Sequence, residues 1–151
     1  MHVPQPTYGN HGSIYKHSGW GDIHSYTYYN PKNKGLDFEG LKKSVKEIPK
    51  GSVITLHACA HNPTGVDPTN DEWNVIADLC AERELFPFFD FAYQGFATGD
   101  CDADAYAIRL FYDRGFNMAI AVSFAKNMGL YGERTGCLHI VCDNKDIRDR
   151  I

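Results

Sequence analysis

Short apolar runs separated by stretches of helical periodicity are the strongest constraint on this chain. Ser52–Ala58 (SVITLHA), Leu85–Phe89 (LFPFF), Met118–Val122 (MAIAV) and Cys137–Cys142 (CLHIVC) have the length and side chains of buried strands. Helical signals lie between them. Asp37 is placed to cap a helix with apolar positions Leu41, Val45 and Ile48, which Pro49-Lys50-Gly51 ends. Thr69 and Glu72 have the spacing of a capping box, ahead of Trp73, Ile76, Ala77 and Cys80 at helical intervals. Asp104–Tyr112 suits a further helix. Strand and helix in alternation, with short connections, predict an α/β fold: a mostly parallel sheet flanked by helices.

The rest of the chain is less regular. Pro4 and Pro6 predict an extended start, Asn10–His17 a short helix ending near Gly19, and Ile23–Tyr29 an aromatic-rich strand. Asn30-Pro31 and Asn33–Gly35 are turn signals. Asp143–Ile151 reads as the start of a helix. The length of 151 residues suits one domain, and 43% apolar residues are enough to build a core. A net charge of -4 argues against a nucleic-acid partner and against an anionic membrane surface. No apolar run reaches the ~18 residues of a membrane-spanning helix. Five cysteines, an odd number without a Cys-x-x-Cys, point to reduced thiols in a reducing compartment rather than a disulfide framework.

In parallel sheets, ligands bind beyond the carboxyl ends of the strands. Three strand ends lead into polar segments: His61–Gly65 (HNPTG), Asp90–Tyr93 (DFAY) and Ser123–Lys126 (SFAK). The strand-end rule therefore predicts that Asn62, Asp90, Tyr93, Ser123 and Lys126 converge in one crevice. Desolvation lowers the pKa of a lysine, and a neutral amine forms a Schiff base with a carbonyl. A carboxylate keeps a pyridinium nitrogen protonated, so that the ring acts as an electron sink. Tyrosine and asparagine suit a ring phenolate; serine and arginine suit a phosphate. Together these are the requirements of a pyridoxal 5'-phosphate site. A rival reading puts His57, Cys59 and His61 on one strand face as zinc ligands, but no fourth ligand is placed beside them.

Four stretches carry a resemblance: Pro6–His11 (PTYGNH), His57–Gly65 (HACAHNPTG), Phe88–Gly95 (FFDFAYQG) and Ser123–Gly136 (SFAKNMGLYGERTG). In order and spacing the chain resembles the aspartate aminotransferase family of fold-type I pyridoxal-phosphate enzymes, over essentially its whole length. The resemblance implies that Lys126 binds the cofactor covalently and shuttles the substrate α-proton. It makes Asp90 the partner of the pyridine nitrogen, and Tyr93 and Asn62 the donors to the phenolic oxygen. Ser123 and Arg134 match phosphate ligands, and His11 matches a residue supporting the aspartate. Tyr8 stands where better-known members stack a tryptophan on the cofactor ring.

The resemblance also implies that residues 1–151 are the central part of the large cofactor-binding domain of a longer, homodimeric enzyme. On this reading a further phosphate-binding loop lies upstream of Met1, and the arginine for the substrate α-carboxylate lies downstream of Ile151. The implied reaction is transamination between aspartate and 2-oxoglutarate, giving oxaloacetate and glutamate, in the cytoplasm or mitochondria. Aromatic amino acids are the alternative substrates. A chain that only associates with partner subunits, and a metallohydrolase built on His57 and His61, are the readings from other classes.

Overall fold

A computed structural model describes residues 1–151. In chain order its elements are β1 (His2–Gln5), α1 (His11–His17), β2 (His24–Thr27), β3 (Tyr29–Asn30), β4 (Gly35–Leu36), α2 (Phe38–Glu47), β5 (Val53–His57) and α3 (Asn70–Glu82). Then follow β6 (Phe86–Phe91), α4 (Cys101–Asp104), α5 (Tyr106–Asp113), β7 (Met118–Ser123), α6 (Phe124–Asn127), β8 (Gly136–Val141) and α7 (Lys145–Arg148). Six strands form one sheet in the order β2-β1-β5-β6-β7-β8. All neighbours are parallel except β7 and β8. The expected α/β architecture is therefore present.

Local chemistry accounts for the elements. The Asp37 carboxylate accepts the Gly40 amide at 3.0 Å and so starts α2. Thr69 and Glu72 form the reciprocal capping box that starts α3. Register then decides what each face buries, because residues opposite one another point to the same side. Ile54, Leu56, Phe89, Phe91, Met118 and Ile120 share one face and are buried in a 22-residue core under α2, α3 and α5. The opposite face carries Val53, Phe86, Phe88, Ala119 and Ala121 and continues onto Leu138 and Ile140, which are 58% and 42% exposed. On that side α1 covers Thr55: the Tyr15 hydroxyl lies 3.0 Å from Thr55 Oγ1, and its ring meets Phe88 edge-on.

The extended start is borne out, and three other readings of the sequence need correction. The proline-marked start is a strand, β1, inserted between β2 and β5. Pro4 has no amide hydrogen to give, and the β1–β5 register is limited to His2↔Ile54. Ile23–Tyr29 is not one strand: it divides at Tyr28, whose carbonyl accepts the Asp37 amide, and Tyr29–Asn30 pairs with Gly35–Leu36 as a small hairpin. The helix expected over Asp104–Tyr112 begins at Cys101, with Asp100 as its cap, and divides at Ala105. Of Asp143–Ile151 only Lys145–Arg148 is α-helical, capped by Asn144.

Candidate active site

Because β5, β6 and β7 run parallel, their carboxyl ends lie along one edge of the sheet, with His57, Asp90 and Ala121 side by side. Three segments leave that edge: the loop Ala58–Pro68 with Asn62, the loop Ala92–Asp100 with Tyr93, and α6 with Lys126. Ser123 Oγ accepts the Ala125 amide at 3.3 Å and caps α6. Lys126 Nζ sits 5.7 Å from the centre of the Tyr93 ring and 5.6 Å from that of Tyr131, within reach of both π-faces. Of the five residues expected to converge, Lys126 and Tyr93, 33 positions apart in sequence, are thus brought together.

Asp90 is held from behind. Its Oδ2 lies 3.2 Å from His11 Nε2, and the carboxylate side chain is 24% exposed. His11 Nδ1 meets Thr7 Oγ1 at 2.8 Å, and the same hydroxyl meets His57 Nε2 at 3.1 Å. His57 Nδ1 accepts the Asn62 backbone amide at 3.2 Å. One consistent direction runs through this chain, since a backbone N–H only donates and a carboxylate oxygen accepts. Asn62 N–H therefore donates to His57, His57 Nε2–H to Thr7, Thr7 O–H to His11, and His11 Nε2–H to Asp90. His57, which accepts at Nδ1, then carries its proton at Nε2. One directional path joins the backbone of Asn62 to the carboxylate of Asp90.

Burial agrees with the neutral state of His57. It pushes the His57 pKa down to about 4, with Asp90 opposing and His11 adding to the fall. His61 is pushed down to about 3, by burial first and by His57 next. Its ring stacks on Tyr28 at 4.0 Å and lies tilted against His57 at 4.3 Å, and its Nδ1 lies 2.8 Å from Thr64 Oγ1. His61 Nε2 is buried without a hydrogen-bond partner.

Tyr8 sits edge-on to His11 at 5.4 Å, and its hydroxyl accepts from Asn10 Nδ2 at 2.7 Å. Arg134 adopts φ 51° and donates to the Tyr131 carbonyl at 3.4 Å; its guanidinium is exposed and in no ion pair. The antiparallel register sets Gly136 beside Ser123, which brings the Arg134 segment back toward α6. A Cβ on Gly136 would lie 2.3 Å from the Val122 carbonyl oxygen, so this close approach requires glycine.

The zinc set His57, Cys59 and His61 is not assembled. The strand ends at His57, and Ala60 at φ 46° breaks the alternation that would align the three side chains. The group that does approach is His11, His57 and Asp90, with ligand atoms within 4.8 Å of one another. Hydrogen bonds through Thr7 account for that proximity. Thr7 and Tyr131 went unnoticed in the sequence as members of the site, although both lie inside family-like stretches. No spacing rule marks either one.

An α/β domain that gathers an amine, a carboxylate and hydrogen-bond donors at its strand ends belongs to the class of strand-end ligand-binding folds. The profile of the family described as aminotransferase class I and II matches residues 1–151, and the chain belongs to that family. A cytoplasmic aspartate aminotransferase of Oryza sativa subsp. japonica is 50% identical over 151 residues, 100% of this chain and 37% of that protein. A mitochondrial aspartate aminotransferase of Dictyostelium discoideum is 52% identical over 145 residues, 96% of this chain and 34% of that one. Among solved structures, an aromatic-amino-acid aminotransferase from Burkholderia pseudomallei, covalently bound to pyridoxal phosphate, matches with a TM-score of 0.94 at 38% identity. That match covers 99% of this chain and 37% of the other. The chain thus spans about a third of the length of the curated relatives it matches.

Proposed function

We propose that residues 1–151 are the central part of the large domain of a pyridoxal-phosphate transaminase acting on aspartate and 2-oxoglutarate, and that Lys126 carries the cofactor. The observation that carries this reading is the placement of Lys126 beside Tyr93, at the edge where Asp90 is tied to His11. The donor set fits the cofactor. The Lys126 amine, the Tyr93 hydroxyl and the Asn62 side-chain amide are in no hydrogen bond within the chain, and one Asp90 oxygen is free of His11. When bound, pyridoxal phosphate supplies an aldehyde that condenses with an amine and a ring that takes up the electron pair released at the substrate Cα.

The chain's own residues divide the remaining work. Asp90 faces the ring nitrogen and would hold a proton there, and His11, Thr7 and His57 orient its carboxylate. Tyr93 and Asn62 donate to the phenolic oxygen, which lowers the proton affinity of the neighbouring nitrogen. Ser123 and Arg134 bind the phosphate, and Tyr8 stacks on the ring. With the cofactor bound, Lys126 Nζ would be the base that accepts the substrate Cα proton and the acid that gives it back. The relatives named for aspartate favour aspartate as substrate, a cytoplasmic or mitochondrial setting, and work as a homodimer by resemblance to the family. Tyr8 and the likeness to an aromatic-amino-acid enzyme favour the second reading, aromatic substrates.

The test is optical. Addition of pyridoxal phosphate to the chain gives a visible absorption band that Lys126→Ala lacks. An unchanged band in that variant contradicts the assignment of Lys126.

A further inference from the structure

Two aspartates that the proposed reaction does not use lie behind the site. Asp104 is 3% exposed, yet no cationic side chain pairs with it. Its Oδ2 accepts the Gly95 amide at 2.8 Å and the Ala97 amide at 3.1 Å. Its Oδ1 accepts the Thr98 amide at 3.1 Å and the Thr98 hydroxyl at 2.7 Å. All four donors belong to the loop that carries Tyr93, and the Tyr93 carbonyl accepts the Phe96 amide within the same turn. Asp67 does the same for the neighbouring loop. Its Oδ2 accepts the Ala60 amide at 2.6 Å and its Oδ1 the His61 amide at 2.8 Å, directly before Asn62.

The two clamps are adjacent. Asp67 and Asp104 line one cavity of about 120 Å³, together with Cys59. Burial, then Asp104, Asp67 and Asp90, push the Cys59 thiol up to about 12, as negative charge around that cavity would. A buried carboxylate is costly unless several donors satisfy it, and hydrogen bonds to a charged acceptor are the stronger kind. Here the donors are the loop amides themselves, so the loop's shape is fixed by the charge it encloses.

We propose that Asp104 and Asp67 are positioning residues, one for each donor to the phenolic oxygen: Asp104 sets Tyr93, and Asp67 sets Asn62. The proposal rests on the cofactor reading for its consequence and on geometry alone for the clamps. Losing either aspartate frees a loop, moves its donor off the phenolic oxygen, and raises the pH at which the nitrogen bound to the cofactor loses its proton.

The experiment has two arms on the same chain. In the first, amide hydrogen exchange is followed without cofactor. Asp104→Asn is expected to speed exchange of the Gly95, Ala97 and Thr98 amides by on the order of tenfold or more and to leave Ala60 and His61 unchanged; Asp67→Asn is expected to do the reverse. Thr98→Val, which removes one donor and no charge, gives a smaller change of the same pattern and serves if Asp104→Asn does not fold. In the second arm, the pH midpoint of the visible band with pyridoxal phosphate is compared, and both aspartate variants move it upward. Exchange unchanged in the clamped loop, or a midpoint that stays put with the band intact, overturns the proposal. Wild-type chain that shows no band but keeps the exchange pattern counts against the cofactor reading and leaves the clamps supported.

Discussion

Replacing Thr7 with valine removes one oxygen and keeps the side-chain volume. That oxygen is the hydrogen-bonded link between His11 and His57, at 2.8 and 3.1 Å. Without it His57 Nε2–H has no acceptor and His11 Nδ1 no donor, in two residues each 5% exposed. An unsatisfied buried group costs about 1–3 kcal/mol, so the pair predicts a loss of about 2–6 kcal/mol. Thr7→Ser keeps the hydroxyl and loses one half-buried methyl, for a cost of about 1 kcal/mol or less. Urea unfolding of the three proteins at pH 7 orders them wild type, serine, valine. A valine variant within about 0.5 kcal/mol of wild type, or one more stable than the serine variant, refutes the directional chain.

Acid should destabilise the fold through its histidines. The folded-state pKa of His57 is depressed from 6.5 to about 4, so only the unfolded chain takes up that proton between the two values. Its contribution is complete above pH 6.5 and falls by about 3 kcal/mol as pH drops to 4, and His61 extends the loss toward pH 3. Urea midpoints from pH 7 to 4 should fall steeply in wild type and less in His57→Gln, and parallel curves would contradict this. Gly136→Ala places a Cβ against the Val122 carbonyl and should cost more than 1 kcal/mol, with the β7–β8 amides exchanging faster; a neutral effect on stability would show that the backbone yields there.

Much of this was legible in the sequence because it rests on local rules. The Thr69–Glu72 capping box, the Asp37 cap and the β7 end at Ser123 each follow from neighbours a few residues apart, and β6 runs one residue past the expected end at Asp90. The convergence of Lys126 and Tyr93 followed from one general property of parallel sheets. What stayed hidden depends on contacts between segments distant in sequence. The antiparallel direction of β8 is decided by its pairing with β7, and its apolar run reads the same either way. The Tyr29–Leu36 hairpin is only two residues a side, too short for a period to show. Thr7 touches His57 across 50 positions of sequence. Asp104 looked like a helix-start residue because its role, bending back to loop amides, leaves no spacing signature.

The central claim is that Lys126 holds the cofactor. The direct measurement is to add pyridoxal 5'-phosphate to the chain, reduce with borohydride, digest, and locate the modified peptide by mass spectrometry. The account predicts a pyridoxyl group confined to Lys126. Labelling spread over surface lysines such as Lys46 and Lys50, or concentrated on any other residue, would contradict it.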